Sequence, residues 1–528
     1  MMTNSSMNRR SFLSLLGKGM VAFSLPLFSC GNQSNRRQTG DKPNIVFILI
    51  DDLGWKDLGV YGSEVYETPN IDELAGEGML FTNAYAACPV CSPTRASVYT
   101  GKYPSRVNIT DYLPGRSSRE FEPLRPAEDL ERLPHDEITL AETLRDNGYN
   151  THFLGKWHLG GEGSLPTDHG FMTNVGGCEM GNPGRDGFFS PYNISNIEAK
   201  EDGEYLTERL TDEAVTVLEN AGEQPFFLMM SYYTVHRPLQ APENLIKEYE
   251  QKMADHHYTN PPFVVEQNPD MPSYDNTTWE EKQQWGENES LFSQPGFNSL
   301  RVTRIKRRQN HPVFGAMVHY MDYSVGRILD KLKSLNLEEN TIVVFYSDNG
   351  GLASQYRGAA TSEHPLRTGK GWLYEGGIRV PLIVRWPGKI PADTKNASLI
   401  NSPDFYPTLL DMAGIKSQPS QHVDGMSFWP ALKDQKTLYD RTLYWHWPHY
   451  SNHGQQSPGG AVRQGDYKLI EYYENQTRQL FNLKNDIEEM HNLVDQEPEI
   501  AESLARKLHQ WREEVNARMP APNPDYSG

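Results

Sequence analysis

Two short oxygen-bearing pairs stand behind apolar runs in this chain. Asp51-Asp52 follows Ile45-Val46-Phe47-Ile48-Leu49-Ile50, and Asp348-Asn349 follows Thr341 to Tyr346 by way of Ser347. Brought together, three carboxylates and an amide oxygen would form an all-oxygen pocket for a hard divalent cation. Without a cation, carboxylates that close repel one another and at least one takes up a proton. Either pair alone also suits a turn or a helix cap; both at strand ends favour the metal. Cationic groups complete the set: Lys156 and His158 in GKWHLG, His236 in VHRP, and Lys370 in GKGWLYEGGIRVP. A lone lysine or histidine is usually solvated or satisfied in the core. The glycines beside Lys156 and Lys370 instead predict a close approach of backbone to ligand. A divalent cation beside lysine and histidine makes a site for a tetrahedral oxyanion group.

Cys88-Pro89-Val90-Cys91 has the spacing of redox dithiols and of half zinc sites. The chain holds 4 cysteines in all, too few for a disulfide framework. The nearest histidine pair, His256-His257, lacks the spacing of a second zinc half-site. A thioredoxin-like dithiol belongs in a much smaller domain. Cys91 therefore reads better as the first residue of Cys91-Ser92-Pro93-Thr94-Arg95, and spacing leaves open whether Cys88 pairs with Cys178.

These groups need a scaffold that brings strand ends to one edge. Residues 45–50, 225–232, 341–346 and 380–384 are apolar and rich in branched or aromatic side chains, which predicts strands buried on both faces; 151–154 is a further strand. Helices are predicted over 71–76, 139–145, 314–335 and 404–413. Alternation of this kind predicts an α/β fold, a large mostly parallel sheet sandwiched by helices, with ligands at the carboxyl ends of the strands. A polar, turn-rich stretch at 416–422 predicts a border, giving a catalytic domain over 43–420 and a smaller α+β domain over 421–528. Residues 253–312 are polar and without periodicity, and read as a surface insertion.

The 528 residues carry a formal charge of −19, which repels nucleic acid and bulk polyanions. An anionic substrate then needs a local cation and a few Lys, Arg or His groups. Asn8-Arg9-Arg10-Ser11-Phe12-Leu13 looks like a twin-arginine export signal over 1–29, and Leu27-Phe28-Ser29-Cys30-Gly31 resembles a bacterial lipobox. Lipidation of Cys30, with residues 30–42 as a tether, predicts an exported lipoprotein of the periplasm or outer membrane; a plain cleaved signal with an incidental Cys30 is the alternative. No later stretch is long and apolar enough to span a bilayer.

Cys91-Ser92-Pro93-Thr94-Arg95-Ala96-Ser97-Val98-Tyr99-Thr100-Gly101 resembles the signature of the type I sulfatases of the alkaline phosphatase superfamily. PNIVFILIDDLGW, GKWHLG, SDNG and YEGGIRVP match that family in the same order, from about Pro43 to DGMSFWPAL at 424–432. Thr94 and Val98 depart conservatively from the commoner Ser and Leu. The resemblance implies that a maturation enzyme oxidises Cys91 to Cα-formylglycine (3-oxoalanine), whose hydrate attacks sulfur and later sheds sulfate. It further implies Ca²⁺ bound by Asp51, Asp52, Asp348 and Asn349 and touching residue 91. Arg95 and Lys156 would orient and activate the hydrate, His158 assist elimination, and His236 with Lys370 hold sulfate and protonate the departing alkoxide. A sulfated carbohydrate is the implied substrate, nearest to galactose or N-acetylgalactosamine sulfates. Arg367, His446 and His449 are candidate sugar contacts, the last two alternatively packing a domain interface with Trp445 and Trp447. A phosphodiesterase or phosphonate hydrolase of the same superfamily, and an inactive glycan-binding lipoprotein, are the rival readings.

Overall fold

A computed structural model describes residues 42–271, 278–288, 301–354 and 358–526. The signal, lipobox and Cys30 lie outside the described residues. From Lys42 onward the chain is one compact unit, and among the described residues no helix is long and apolar enough to cross a membrane.

Asn44–Ile50 is the centre of an eight-stranded sheet. It pairs in parallel with Thr341–Ser347 on one side and Phe226–Ser231 on the other. Asn150–Gly155 and Thr173–Val175 extend the parallel part. Successive side chains of a strand point to opposite faces, and both faces are covered here. Val46, Ile48 and Ile50 join an apolar cluster with Leu210, Ala214 and Leu218 of the helix Leu206–Glu219 and with the helix Pro312–Ser334. Ile45, Phe47 and Leu49 join another with Val98 of the helix Cys91–Thr100, Leu144 of Leu140–Asp146 and Leu409 of Phe405–Met412. That two-sided burial explains why the strand sequences show no polar alternation.

The strand at 382–385 runs antiparallel to both Thr341–Ser347 and Met79–Phe81, a reversal its apolar sequence does not encode. Three short edge or near-edge strands, Met79–Phe81, Thr173–Val175 and Thr394–Asn396, went unread because three residues carry no periodicity. A four-stranded antiparallel meander, Thr442–Trp447, Gly459–Gln464, Tyr467–Tyr472 and Arg478–Asn482, forms the small C-terminal sheet. The helix Pro498–Glu514 packs Leu504, Leu508 and Trp511 against its Val462, Leu469 and Leu480. The opposite face shares a cluster with Tyr85, Val90 and Trp372 of the large sheet's side.

Within 253–312 the described residues include a strand pair. Phe263–Gln267 pairs with Val302–Lys306, and Val265, Glu266 and Asn268 are buried. The glycines beside the lysines also serve another purpose than ligand approach. Gly155 has φ +97°, and a Cβ there would fall 1.9 Å from the Ser231 carbonyl oxygen; its absence permits the close strand approach in which the Lys156 backbone nitrogen donates to that carbonyl at 2.7 Å. A Cβ on Gly369 would meet the Gly351 carbonyl oxygen at 2.4 Å.

Candidate active site

The parallel strands all end at one edge, so their following residues meet there. Asp51 and Asp348 continue strands paired through Ile50 and Ser347, and Asp52 backbone nitrogen donates to Asp348 Oδ1 at 3.2 Å. Arg95 lies one turn into the helix that Cys91 begins. Its Nε donates to Asp348 Oδ2 at 2.9 Å, and its Nη1 to the Lys156 carbonyl at 2.8 Å and Ser231 Oγ at 2.7 Å. Lys156 Nζ donates to Asp51 Oδ2 at 2.7 Å, and Lys370 Nζ to Asp52 Oδ1 at 2.6 Å. Asn349 Nδ2 donates to Asp52 Oδ1 at 2.8 Å, and His236 Nε2 stands 3.6 Å from Asp52 Oδ2.

This cluster sets three carboxyl side chains against the basic side chains of Arg95, Lys156 and Lys370, all buried. Burial, then Asp348 and Asp52, push the Asp51 carboxyl well up against the pull of Lys156. Burial also works against Asp52, yet Lys370 and His236 hold it well below the usual carboxylate range. For Lys370 burial is again outweighed, by Asp52, and the ammonium stays protonated. Two buried oxygens, Asp51 Oδ1 and Asn349 Oδ1, have no hydrogen-bond partner. Ligand atoms of Asp51, Asp348 and Cys91 lie within 4.8 Å of one another, as do those of Asp51, Asp52 and His236. An oxygen-rich donor set with two orphaned oxygens fits a hard divalent cation. A bound divalent cation would keep Asp51 ionised and add local positive charge for an oxyanion.

Cys91 and His158 face each other at the cavity floor. Cys91 Sγ is 3.3 Å from His158 Nδ1, while His158 Nε2 is 2.6 Å from the Leu113 carbonyl oxygen. A carbonyl only accepts, so Nε2 carries the proton and Nδ1 presents its lone pair to residue 91. His158 adopts φ 56° and Asp52 φ 62°, strained positions for non-glycine residues that cluster where function over-determines the backbone. The cavity is about 860 Å³ and is lined by Asp52, Cys91, His158, His236 and Lys370 at its floor, with Tyr112 and Arg237 among its walls. That volume suits a saccharide unit or two.

Residues 43–415 match the family model Sulfatase. The chain belongs to the sulfatase family. Residues 363–515 of this sulfatase also match the model for the C-terminal region of N-sulphoglucosamine sulphohydrolase. A sulfatase of Formosa agariphila is 28% identical, with 92% of this chain and 91% of that protein covered. The N-acetylgalactosamine-6-sulfatase of Canis lupus familiaris is 31% identical over 76% of this chain and 68% of that protein. The solved structure of Ps i-CgsB in complex with k-i-k-neocarrahexaose matches with a TM-score of 0.67 at 28% identity, covering 89% of this chain and 93% of that one.

Three residues expected to touch sugar in this sulfatase are placed elsewhere. Arg367 forms a buried bidentate pair with Glu266, at 2.9 and 2.8 Å, and stacks 4.0 Å over the Tyr374 ring. His446 is held by Tyr473 Oη at 2.7 Å and the Arg518 carbonyl at 2.9 Å. His449 contacts Thr110 Oγ1 at 2.8 Å. None of the three lines the cavity. Motif reading missed Asn452 and His453, which do line it and arrive from the C-terminal sheet's first loop; nothing in sequence ties them to Cys91. Ser231, also missed, left one signal, a hydroxyl closing an otherwise apolar strand. Cys88 and Cys178 are free and buried, near the Thr110 carbonyl and Tyr233 Oη respectively.

His449 sits over a buried acidic pair that anchors the loop carrying Leu113. Asp129 accepts from the Thr110 and Asp111 backbone nitrogens, both at 2.8 Å. Burial, then Asp129, push Asp111 up to about 8, and burial pushes Asp129 up to about 6. Both carboxyls hold protons in the fold that the unfolded chain releases near pH 4. Their contribution is thus present at low pH and declines as pH rises towards about 8. In Asp111→Asn, the drop in melting temperature from pH 5 to pH 8 is expected to be smaller than in wild type. An unchanged drop counts against protonated Asp111.

Proposed function

We propose that this sulfatase removes sulfate from a sulfated carbohydrate, using residue 91 as nucleophile and Ca²⁺ as the divalent cation. The observation that carries the reading is Cys91 at the floor of an 860 Å³ cavity, its Sγ within 4.8 Å of oxygens of Asp51 and Asp348. Oxidised to Cα-formylglycine by a maturation enzyme, residue 91 would supply two hydroxyls on one carbon, one to attack sulfur and one to drive sulfate release. Asp51, Asp52, Asp348 and Asn349 would hold the cation, which would polarise sulfate oxygens. Arg95 is fully buried and keeps Asp348 and Asp51 in position. His158 Nδ1 accepts a proton from residue 91 across the 3.3 Å contact. Lys156, held by Asp51, orients and activates the hydrate, while Lys370 and His236 hold sulfate and supply the proton for the departing sugar oxygen. The names of the relatives, an N-acetylgalactosamine-6-sulfatase and a structure holding a neocarrahexaose, support a galactose or N-acetylgalactosamine sulfate. Export as a lipoprotein anchored through Cys30 would place the enzyme where glycan enters the cell envelope.

Two measurements test this. Mass spectrometry of the tryptic peptide around Cys91, purified from the native host, is expected to show the aldehyde; an intact thiol would favour a glycan binder. Sulfate release from sulfated mono- and disaccharides is expected to exceed hydrolysis of a nitrophenyl phosphodiester. Preference for the diester overturns the assignment. Prolonged chelation is expected to lower both activity, by tenfold or more, and the melting temperature, with Ca²⁺ restoring each.

A further inference from the structure

The geometry points to Glu363 as a positioning residue of the cation site, a buried carboxyl that ties together the two strand-end loops carrying Asp51-Asp52 and Asp348-Asn349. The inference rests on the reading of this site as a sulfatase's, and it adds a residue that does not line the cavity.

Four consecutive amides behind Asp51 donate to side chains rather than to backbone. Asp52 nitrogen donates to Asp348 Oδ1 and Leu53 nitrogen to Ser347 Oγ, both at 3.2 Å. Gly54 nitrogen donates to Asp57 Oδ2 at 2.9 Å, and Trp55 nitrogen to Glu363 Oε2 at 3.0 Å. The other oxygen of Glu363, Oε1, accepts from Gly351 nitrogen at 2.8 Å, two residues past Asn349. One carboxyl thus spans both ligand loops. The strands have ended there, and buried amides without ladder partners need acceptors from elsewhere. Asp52, at φ 62°, adds to that need, since a strained residue persists only where its surroundings over-determine it.

Glu363 is 1% exposed and acts through the backbone it holds. Two glycines make room for it: a Cβ on Gly54 would fall 1.9 Å from Oε1, and one on Gly351 2.4 Å from the same oxygen. The Gly351 carbonyl in turn accepts from Lys370 nitrogen at 2.9 Å, so the clamp reaches the lysine that meets Asp52. Asp57 backs the arrangement, accepting from Thr361 Oγ1 and, at 3.1 Å, from Gln309 Nε2. Among the described residues no cation pairs with Glu363 or Asp57. Burying two carboxyls without a counter-ion is costly; the amides of both loops offset that cost. Burial, then Asp57, push the Glu363 carboxyl well up. Protonated or ionised, it keeps a lone pair on each oxygen for its N–H partner.

The test compares wild type with Glu363→Ala, Glu363→Gln and a control, Asp322→Ala. Asp322 is also a buried carboxyl accepting a backbone amide, Ile71 nitrogen at 2.8 Å, and it lies outside the cavity lining and the ligand loops. Calorimetry titrates Ca²⁺ into chelated protein, and hydrogen exchange read by mass spectrometry follows the Trp55 and Gly351 amides. In Glu363→Ala, Ca²⁺ affinity is expected to fall about ten- to a hundredfold. Both amides should exchange about tenfold faster or more, since each loses a buried acceptor. In sulfate release kcat should fall with KM little changed, because no sugar contact is lost. Glu363→Gln keeps the reach and one acceptor oxygen, so its affinity should fall only about threefold. Asp322→Ala is expected to melt lower, with wild-type Ca²⁺ affinity and wild-type exchange at both amides. Unchanged affinity in Glu363→Ala, acceleration of one amide alone, or the same losses in Asp322→Ala overturn the inference. Should Glu363→Ala not fold, Glu363→Gln decides: weaker binding with faster exchange sustains the clamp, and wild-type values refute it. If wild type itself binds no Ca²⁺, the cation reading fails. Joint acceleration of the two amides in Glu363→Ala then still sustains the clamp between the loops, and its absence refutes it.

Discussion

Cys91→Ala is expected to abolish sulfate release, a loss on the order of 10⁴-fold or more, as when a covalent nucleophile is removed elsewhere. The fold should survive. The residue begins a helix whose packing runs through Ala96, Val98 and Tyr99 on later turns, so melting should shift little. Cys91→Ser makes the sharper experiment. A serine hydroxyl in the same place, left unoxidised, has one oxygen where the aldehyde hydrate has two. It can take the sulfo group from the substrate, with the sugar oxygen leaving as alcohol, but it has no second hydroxyl to expel sulfate by elimination. The variant is expected to give at most one turnover and to gain the mass of one SO₃ group on the peptide spanning residue 91. Multiple turnovers by Cys91→Ala would place the nucleophile elsewhere.

Asp348→Ala is the second large effect, because it strikes stability and chemistry together. Arg95 is fully buried; its Nε donates to Asp348 Oδ2 at 2.9 Å, and its Nη2 lies 2.7 Å from the same oxygen as an ion pair. Asp51, at 3.8 Å, is too far to replace it. Removing one partner of a buried ion pair costs about 3–5 kcal/mol, since it strands the other charge. The variant is expected to melt several degrees lower, to lose on the order of 10²–10³ in rate, and to bind Ca²⁺ more weakly. Asp348→Asn keeps the shape and one acceptor oxygen, so it should recover part of the stability and little of the activity. Calorimetric unfolding beside sulfate-release kinetics separates the two losses. Equal activity in both variants and wild type would remove Asp348 from the site.

The site's skeleton was legible because each motif has a local physical cause. Asp51-Asp52 and Ser347-Asp348-Asn349 close apolar runs, and a parallel sheet puts such endings on one edge. The helix beginning at Cys91 was not read, because its first turn mixes Ser, Pro and Thr with no apolar period. Arg367, His446 and His449 pack against partners distant in sequence, Glu266, Tyr473 and Thr110, as the packing alternative has it for the two histidines; residue type and chain neighbourhood do not encode such pairings.

Composition and order of motifs, then, sufficed for the two-faced sheet, the family and the residues at its carboxyl edge, since burial pattern and strand-end chemistry are properties of short segments. Pairings across hundreds of residues needed the folded chain. Which lysine meets which aspartate and the proton on His158 Nε2 set by the Leu113 carbonyl both arise from long-range packing. Their energies depend on distance and burial, and a linear sequence specifies neither before its strands have met.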